Sequence, residues 1–99
     1  MVIFLGERLE CKVVVTVNME DQLIVSGPDI VSRGFVYVKE SEELMRRARD
    51  IAMSSLERAL AKRYADYGYI KGIIKDDLAK FIYKETKRKP MILPVIMDI

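Results

Sequence analysis

From Cys11 onward the chain alternates. Cys11, Val13, Val15 and Val17 fall on one side of an extended backbone, and Lys12, Val14, Thr16 and Asn18 on the other. A period of two with β-branched enrichment predicts a strand. The polar run Asn18-Met19-Glu20-Asp21-Gln22 turns the chain, and Leu23-Ile24-Val25 pairs back as the second arm of a hairpin. Ser26-Gly27-Pro28-Asp29 reads as a stop to that arm, because Gly supplies unusual dihedrals and Pro lacks an N–H. Ile30-Val31 is then a short link, Ser32-Arg33-Gly34 a further break, and Phe35-Val36-Tyr37-Val38 a third extended segment.

The period then changes. Ser41 is placed to cap a helix, with Glu42 and Glu43 in the first turn where carboxylates favour the helix dipole. Leu44, Ala48, Ile51, Ala52, Ser55, Leu56, Ala59 and Leu60 recur at three- and four-residue steps, opposite Arg46, Arg47, Arg49, Asp50, Glu57, Arg58 and Lys62. That spacing predicts an amphipathic helix of about six turns. A second helix is predicted from Tyr69 to Thr86, with Ile70, Ile73, Ile74, Leu78, Phe81 and Ile82 as its apolar stripe. A connection of about five residues makes the two helices an antiparallel pair.

After Pro90 the segment Met91-Ile92-Leu93-Pro94-Val95-Ile96-Met97 is apolar on both faces, as in a strand covered on both sides. Pro94 cannot donate to a ladder, which places the strand at an edge or a bulge. The two signals agree if the strand is an edge within one chain and something else lies on it. The expected fold class is α+β in two layers. A small three- or four-stranded sheet, mostly antiparallel or mixed, carries two antiparallel helices on one face. Its other face is apolar enough to expect a cover. Met91, Leu93, Val95 and Met97 are the interface candidates, with Ile92 and Ile96 opposite.

Composition narrows the chemistry. The chain has 99 residues, 51% of them hydrophobic and 32% charged, which suits one small globular domain. It contains no histidine and one cysteine, Cys11. Histidine-based nucleophile activation and histidine-bearing zinc sites are thereby excluded, and one thiolate cannot cage a metal. No internal disulfide can form, in keeping with a reducing, cytoplasmic setting. No apolar run approaches the roughly 20 residues that span a bilayer. Neither a catalytic nor a metal residue is therefore assigned.

The net charge of +2 marks no dedicated nucleic-acid binder, but it is unevenly spread. Lys84, Lys87, Arg88 and Lys89 crowd one short segment. With Arg33 they are the nucleic-acid contact candidates, through phosphate contacts. Simpler readings stand beside these. Cations belong at a helix C-terminus, and an Arg beside a Gly is ordinary turn chemistry. Tyr64, Tyr67 and Tyr69 suit packing over the interhelix turn better than base stacking. Asp76 and Asp77 diverge by about 100° on a helix, which reads as solvated surface and not a magnesium site. Cys11 reads as a small core residue.

The block Ile24 to Ser41, IVSGPDIVSRGFVYVKES, resembles a stretch near the end of ribonuclease J. The block Thr86 to Met97, TKRKPMILPVIM, resembles the C-terminus of the same proteins. The resemblance runs from about residue 11 to 99, with the helices between at the right length and charge pattern. Residues 1–10 match poorly and are read as a linker remnant or an artificial start. In that family the nuclease chemistry belongs to metallo-β-lactamase and β-CASP regions whose histidine- and aspartate-rich motifs hold metal ions, usually zinc. None of those motifs matches here, so no catalytic residue carries over. The resemblance implies a non-catalytic C-terminal domain with no cofactor of its own. Its partners would be the catalytic domain of the same polypeptide and further copies in a dimer or higher oligomer. Its parent would be a metal-dependent ribonuclease, exonucleolytic from the 5′ end, endonucleolytic, or both, that meets RNA and no membrane. The alternative is an accessory RNA-binding module working through the basic helix-end patch.

Overall fold

The computed structural model describes residues 3–4, 10–33, 35–36, 39–62, 65–87 and 89–99. It is an α+β fold. Strands β1 (Ile3–Phe4), β2 (Glu10–Asn18), β3 (Leu23–Arg33) and β4 (Phe35–Val36) lead into helices α1 (Lys39–Leu60) and α2 (Tyr67–Thr86), and strand β5 (Met91–Asp98) follows. A three-stranded sheet has the order β3-β2-β5, and β1 and β4 form a separate antiparallel pair.

The sheet is mixed. β2 pairs antiparallel with β3 and parallel with β5, which is the mixed form of the expected sheet, with one pair of each kind. Direction follows from the intervening elements. β3 runs back along β2, and an antiparallel pair of helices adds one out-and-back excursion, so the chain re-enters the sheet at the end where β2 began. Once β5 lies beside β2, it must run with it.

β2 is central because it can be covered on one face and paired on both edges. Cys11, Val13, Val15 and Val17 are fully buried beneath the helices. α1 packs toward β3 and α2 toward β5. The helices divide the core by size. α1 buries Ala48, Ala52, Ser55 and Ala59 beside Leu44, Leu56 and Leu60, whereas α2 buries Ile70, Ile74, Leu78, Phe81 and Ile82. Small residues on one helix let the bulky ridge of the other settle close. Ile92 completes the core from β5.

Three sequence expectations are corrected. Ser26-Gly27-Pro28-Asp29 does not end the second strand. β3 runs through it, with register shifts between Val14 and Thr16 and between Thr16 and Val17. The turn-type residues are spent on a bulge. Gly27 sits at φ +91°, and a Cβ there would lie 2.7 Å from the Val14 carbonyl oxygen. Second, α1 opens at Lys39, ahead of Ser41. Third, α2 opens at Tyr67 because Asp66 caps it, its Oδ1 accepting the Tyr69 N–H at 2.7 Å. Of the predicted third extended segment, only Phe35–Val36 lies among the described residues, as β4.

Candidate functional site

Two surfaces carry the candidate residues: the open face of the sheet and the basic end of α2. The open face comes from strand parity. In β5, Ile92 points inward at 3% exposure and Ile96 is half-buried, while Met91, Leu93, Val95 and Met97 stand on the opposite face at 38–48%. Register places them beside Glu10, Lys12, Val14 and Thr16 of β2. Across β2, Val31 stands opposite Lys12, Asp29 opposite Val14 and Leu23 opposite Asn18. Val31 and Leu23 are about three-fifths exposed. The four β5 candidates therefore share one apolar surface that no element among the described residues covers, with Lys12 and Asp29 as charges within it and Glu10 beside Met91 at its end.

Pro94 lies in an edge strand, as its missing N–H requires, and the ladder fixes which side it faces. The Ile99 N–H donates to the Val17 carbonyl at 3.0 Å. In a parallel ladder alternate residues turn both backbone groups to the same neighbour. With β2 and β5 in unbroken register, the odd-numbered residues of β5 face β2, and Ile92, Pro94, Ile96 and Asp98 face the open edge. The donor that Pro94 lacks is one the edge would have offered.

The basic candidates gather at the opposite end of the molecule from the hairpin turn. Lys84 lies in the last turn of α2. Lys87 is its left-handed cap at φ 60°, with its N–H donating to the Tyr83 carbonyl at 2.7 Å and its ammonium 5.6 Å from the centre of the Tyr83 ring. Lys89 is exposed on the way to β5, and Arg88 lies outside the described residues. Arg33 ends β3 opposite Glu10, which also pairs with Met91. Arg33 and Met91 thus stand at the same end of the sheet, roughly two strand spacings or about 10 Å apart across it, with Glu10 on the strand between and Lys89 two residues ahead of Met91 in the chain. Lys87 fits the helix-terminal reading best, since its backbone and side chain both have local roles.

Several residues that carry structure were not singled out as such. Asp77 is no solvated bystander. Its Oδ2 accepts from Ser55 Oγ at 2.6 Å and pairs with Arg58, joining α2 to α1. Arg47 makes a second tie, to Glu85 at 3.2 Å, with its guanidinium 5.2 Å from the Phe81 ring. Asp98 clamps three elements. Its Oδ1 accepts the Met19 N–H at 3.1 Å and its Oδ2 accepts the Tyr67 hydroxyl at 2.9 Å, which pushes the Tyr67 pKa up. Tyr69 lies under the Lys62 ammonium at 5.7 Å. Both tyrosines are thus engaged around the interhelix turn, and Tyr64 is outside the described residues. Hydrogen-bond and ion-pair partners 19 to 79 positions apart leave no local pattern.

Among the described residues no three His, Cys, Asp or Glu side chains come together in a way that could hold a metal ion. Burial pushes the Cys11 thiol up to about 11, which keeps it protonated and unreactive. No helix among the described residues is long and apolar enough to cross a membrane.

Comparison with known proteins gives a family. The profile of the ribonuclease J C-terminal domain matches residues 11–99. The chain is 39% identical over 87 residues to ribonuclease J 2 of Streptococcus pyogenes and 41% identical over 87 residues to ribonuclease J2 of Bacillus subtilis, in each case over 88% of this chain and 16% of the relative. Against ribonuclease J 2 of Staphylococcus aureus it is 42% identical over 86 residues, 87% of this chain and 15% of the relative. The chain thus spans about one sixth of the length of these curated relatives.

Proposed function

Because the chain belongs to the ribonuclease J C-terminal domain family, we propose that it is a non-catalytic module of a cytoplasmic ribonuclease J-like nuclease, and that its work is to hold copies of that nuclease together and position their catalytic domains on RNA. The observation that carries this reading is the open sheet face. Met91, Leu93, Val95, Met97, Val31 and Leu23 form an exposed apolar surface on one rigid layer. Such a patch on a small domain marks an interaction site. Apolar burial is the driving force, at about 25 cal/mol per Å² before the entropic cost of association. The RNA hydrolysis itself, with its metal ions, is left to the rest of the parent, because this chain brings no histidine and a thiol that burial holds protonated.

Sedimentation equilibrium over a wide concentration range tests the reading. A mass that rises from one to two or more chains supports assembly. A single-chain mass at every concentration refutes it. RNA binding by the basic end is the competing outcome. It predicts an affinity that falls by about one log unit per log unit of salt for each phosphate neutralised, and a shallower slope when Lys84, Lys87 and Lys89 are replaced by Ala.

A further inference from the structure

Resting on the assembly reading, we infer that a second copy of this chain docks face to face on the open side of the sheet, not edge to edge, and that Lys12 and Asp29 set its register by exchanging ion pairs across the two-fold axis. Both edges of the sheet are unfit for strand addition. β5 offers its open edge the N–H groups of Ile92, Ile96 and Asp98 but has a gap between the first two, where Pro94 stands. β3 is broken midway by the bulge that contains Gly27 and Pro28. Proline and bulges are the devices by which natural sheets refuse edge pairing. The face carries no such obstacle.

The size of the face suits a second copy. The exposed parts of Leu23, Val25, Val31, Met91, Leu93, Val95 and Met97 come to roughly 600 Å², so a symmetric contact removes on the order of 1,200 Å² in total and clears the ~1,000 Å² of a biological interface. Its charges suit self-association too. A two-fold contact presents the same patch from both sides, so a charge in its interior must meet its opposite within that patch, whereas Glu10 stands at the end of the sheet across from Arg33. Lys12 stands opposite Val31 on the β3 side, and Asp29 is the next outward residue of β3, opposite Val14. An in-plane axis midway between Lys12 and Asp29 brings the lysine of each copy over the aspartate of the other. Both pairs form at once, and the valines and methionines around them close the contact.

Charge exchange in the 99-residue chain, read by sedimentation equilibrium, tests this. Lys12→Asp and Asp29→Lys each place like charges against each other twice. Each is expected to weaken the dimer at least tenfold, and the double variant to return to within about threefold of the parent. Leu93→Asp is expected to abolish the dimer, and Pro94→Val, which gives the edge its donor back, to leave it unchanged. A dimer indifferent to Leu93→Asp or to both single charge variants overturns the face-to-face inference while leaving the assembly reading in place. So does a dimer that Pro94→Val tightens. A parent chain that is monomeric throughout overturns both.

Discussion

Replacing Ser55 by Ala isolates the tie that holds the two helices in fixed relation behind the sheet. Ser55 is fully buried, and its Oγ lies 2.6 Å from Asp77 Oδ2 and 2.8 Å from the Ile51 carbonyl oxygen. One hydroxyl proton serves both acceptors, and the charged carboxylate is the stronger. A hydrogen bond to a charged group contributes about 1.5–3 kcal/mol. Alanine returns roughly 0.5 kcal/mol in helix propensity. The expected net loss is about 1–2.5 kcal/mol, or about 4–8 °C of Tm per kcal/mol for a domain of this size. Asp77→Ala is expected to cost less, because Ser55 falls back on the Ile51 carbonyl and the exposed Arg58 pair contributes little. Urea unfolding of both single variants and the double variant closes a cycle with a coupling of about 1–2 kcal/mol. All four proteins must be compared at one concentration, because association adds to apparent stability. A Ser55→Ala variant within 0.5 kcal/mol of the parent, or a cycle with no coupling, refutes the assignment.

Two glycines should respond with opposite signs. Gly72→Ala, where a Cβ meets nothing within 4 Å in mid-helix, gains about 0.5–1 kcal/mol in thermal unfolding, whereas Gly27→Ala loses more than about 1 kcal/mol by clashing with the Val14 carbonyl at positive φ. Cys11 links stability to alkaline pH. Its folded pKa of about 11 lies above its ordinary 9.0, so the unfolded chain ionises first. Its contribution is intact below pH 9 and is lost as pH climbs through 11, by up to about 2–3 kcal/mol. A Cys11→Ala variant should lack that part of the slope, and the folded parent should resist thiol alkylation at pH 8. Asp98→Ala removes the clamp on the hairpin turn and α2. The expected cost is about 1 kcal/mol, with faster amide exchange at Met19, whose N–H loses its acceptor.

The alternation of Cys11, Val13, Val15 and Val17 was decisive because a central strand is dry on one face and paired on both sides, which leaves no room for an exception. The helical stripes were legible for the same reason. Ser26 to Asp29 misled because the residues that end a strand are those that kink one without ending it, and only a neighbouring ladder decides between the two. The parallel pairing of β5 was hidden because the hydrophobic pattern says which face a strand buries but not which strand it lies beside. The β5 edge was legible through Pro94, whereas Asp77 and Asp98 were not, since their partners come from elements far away along the chain.

The last strand of the domain to be synthesised lies next to the first long one, with the whole helical hairpin between them. A nascent chain can close the β2–β3 ladder early, but the third strand and four of the residues on the open face arrive only when nearly all the rest of the domain has emerged from the ribosome. A peptide trimmed before Met91 keeps the β2–β3 ladder and loses four apolar residues of the open face, so under the proposed assembly it is expected not to dock.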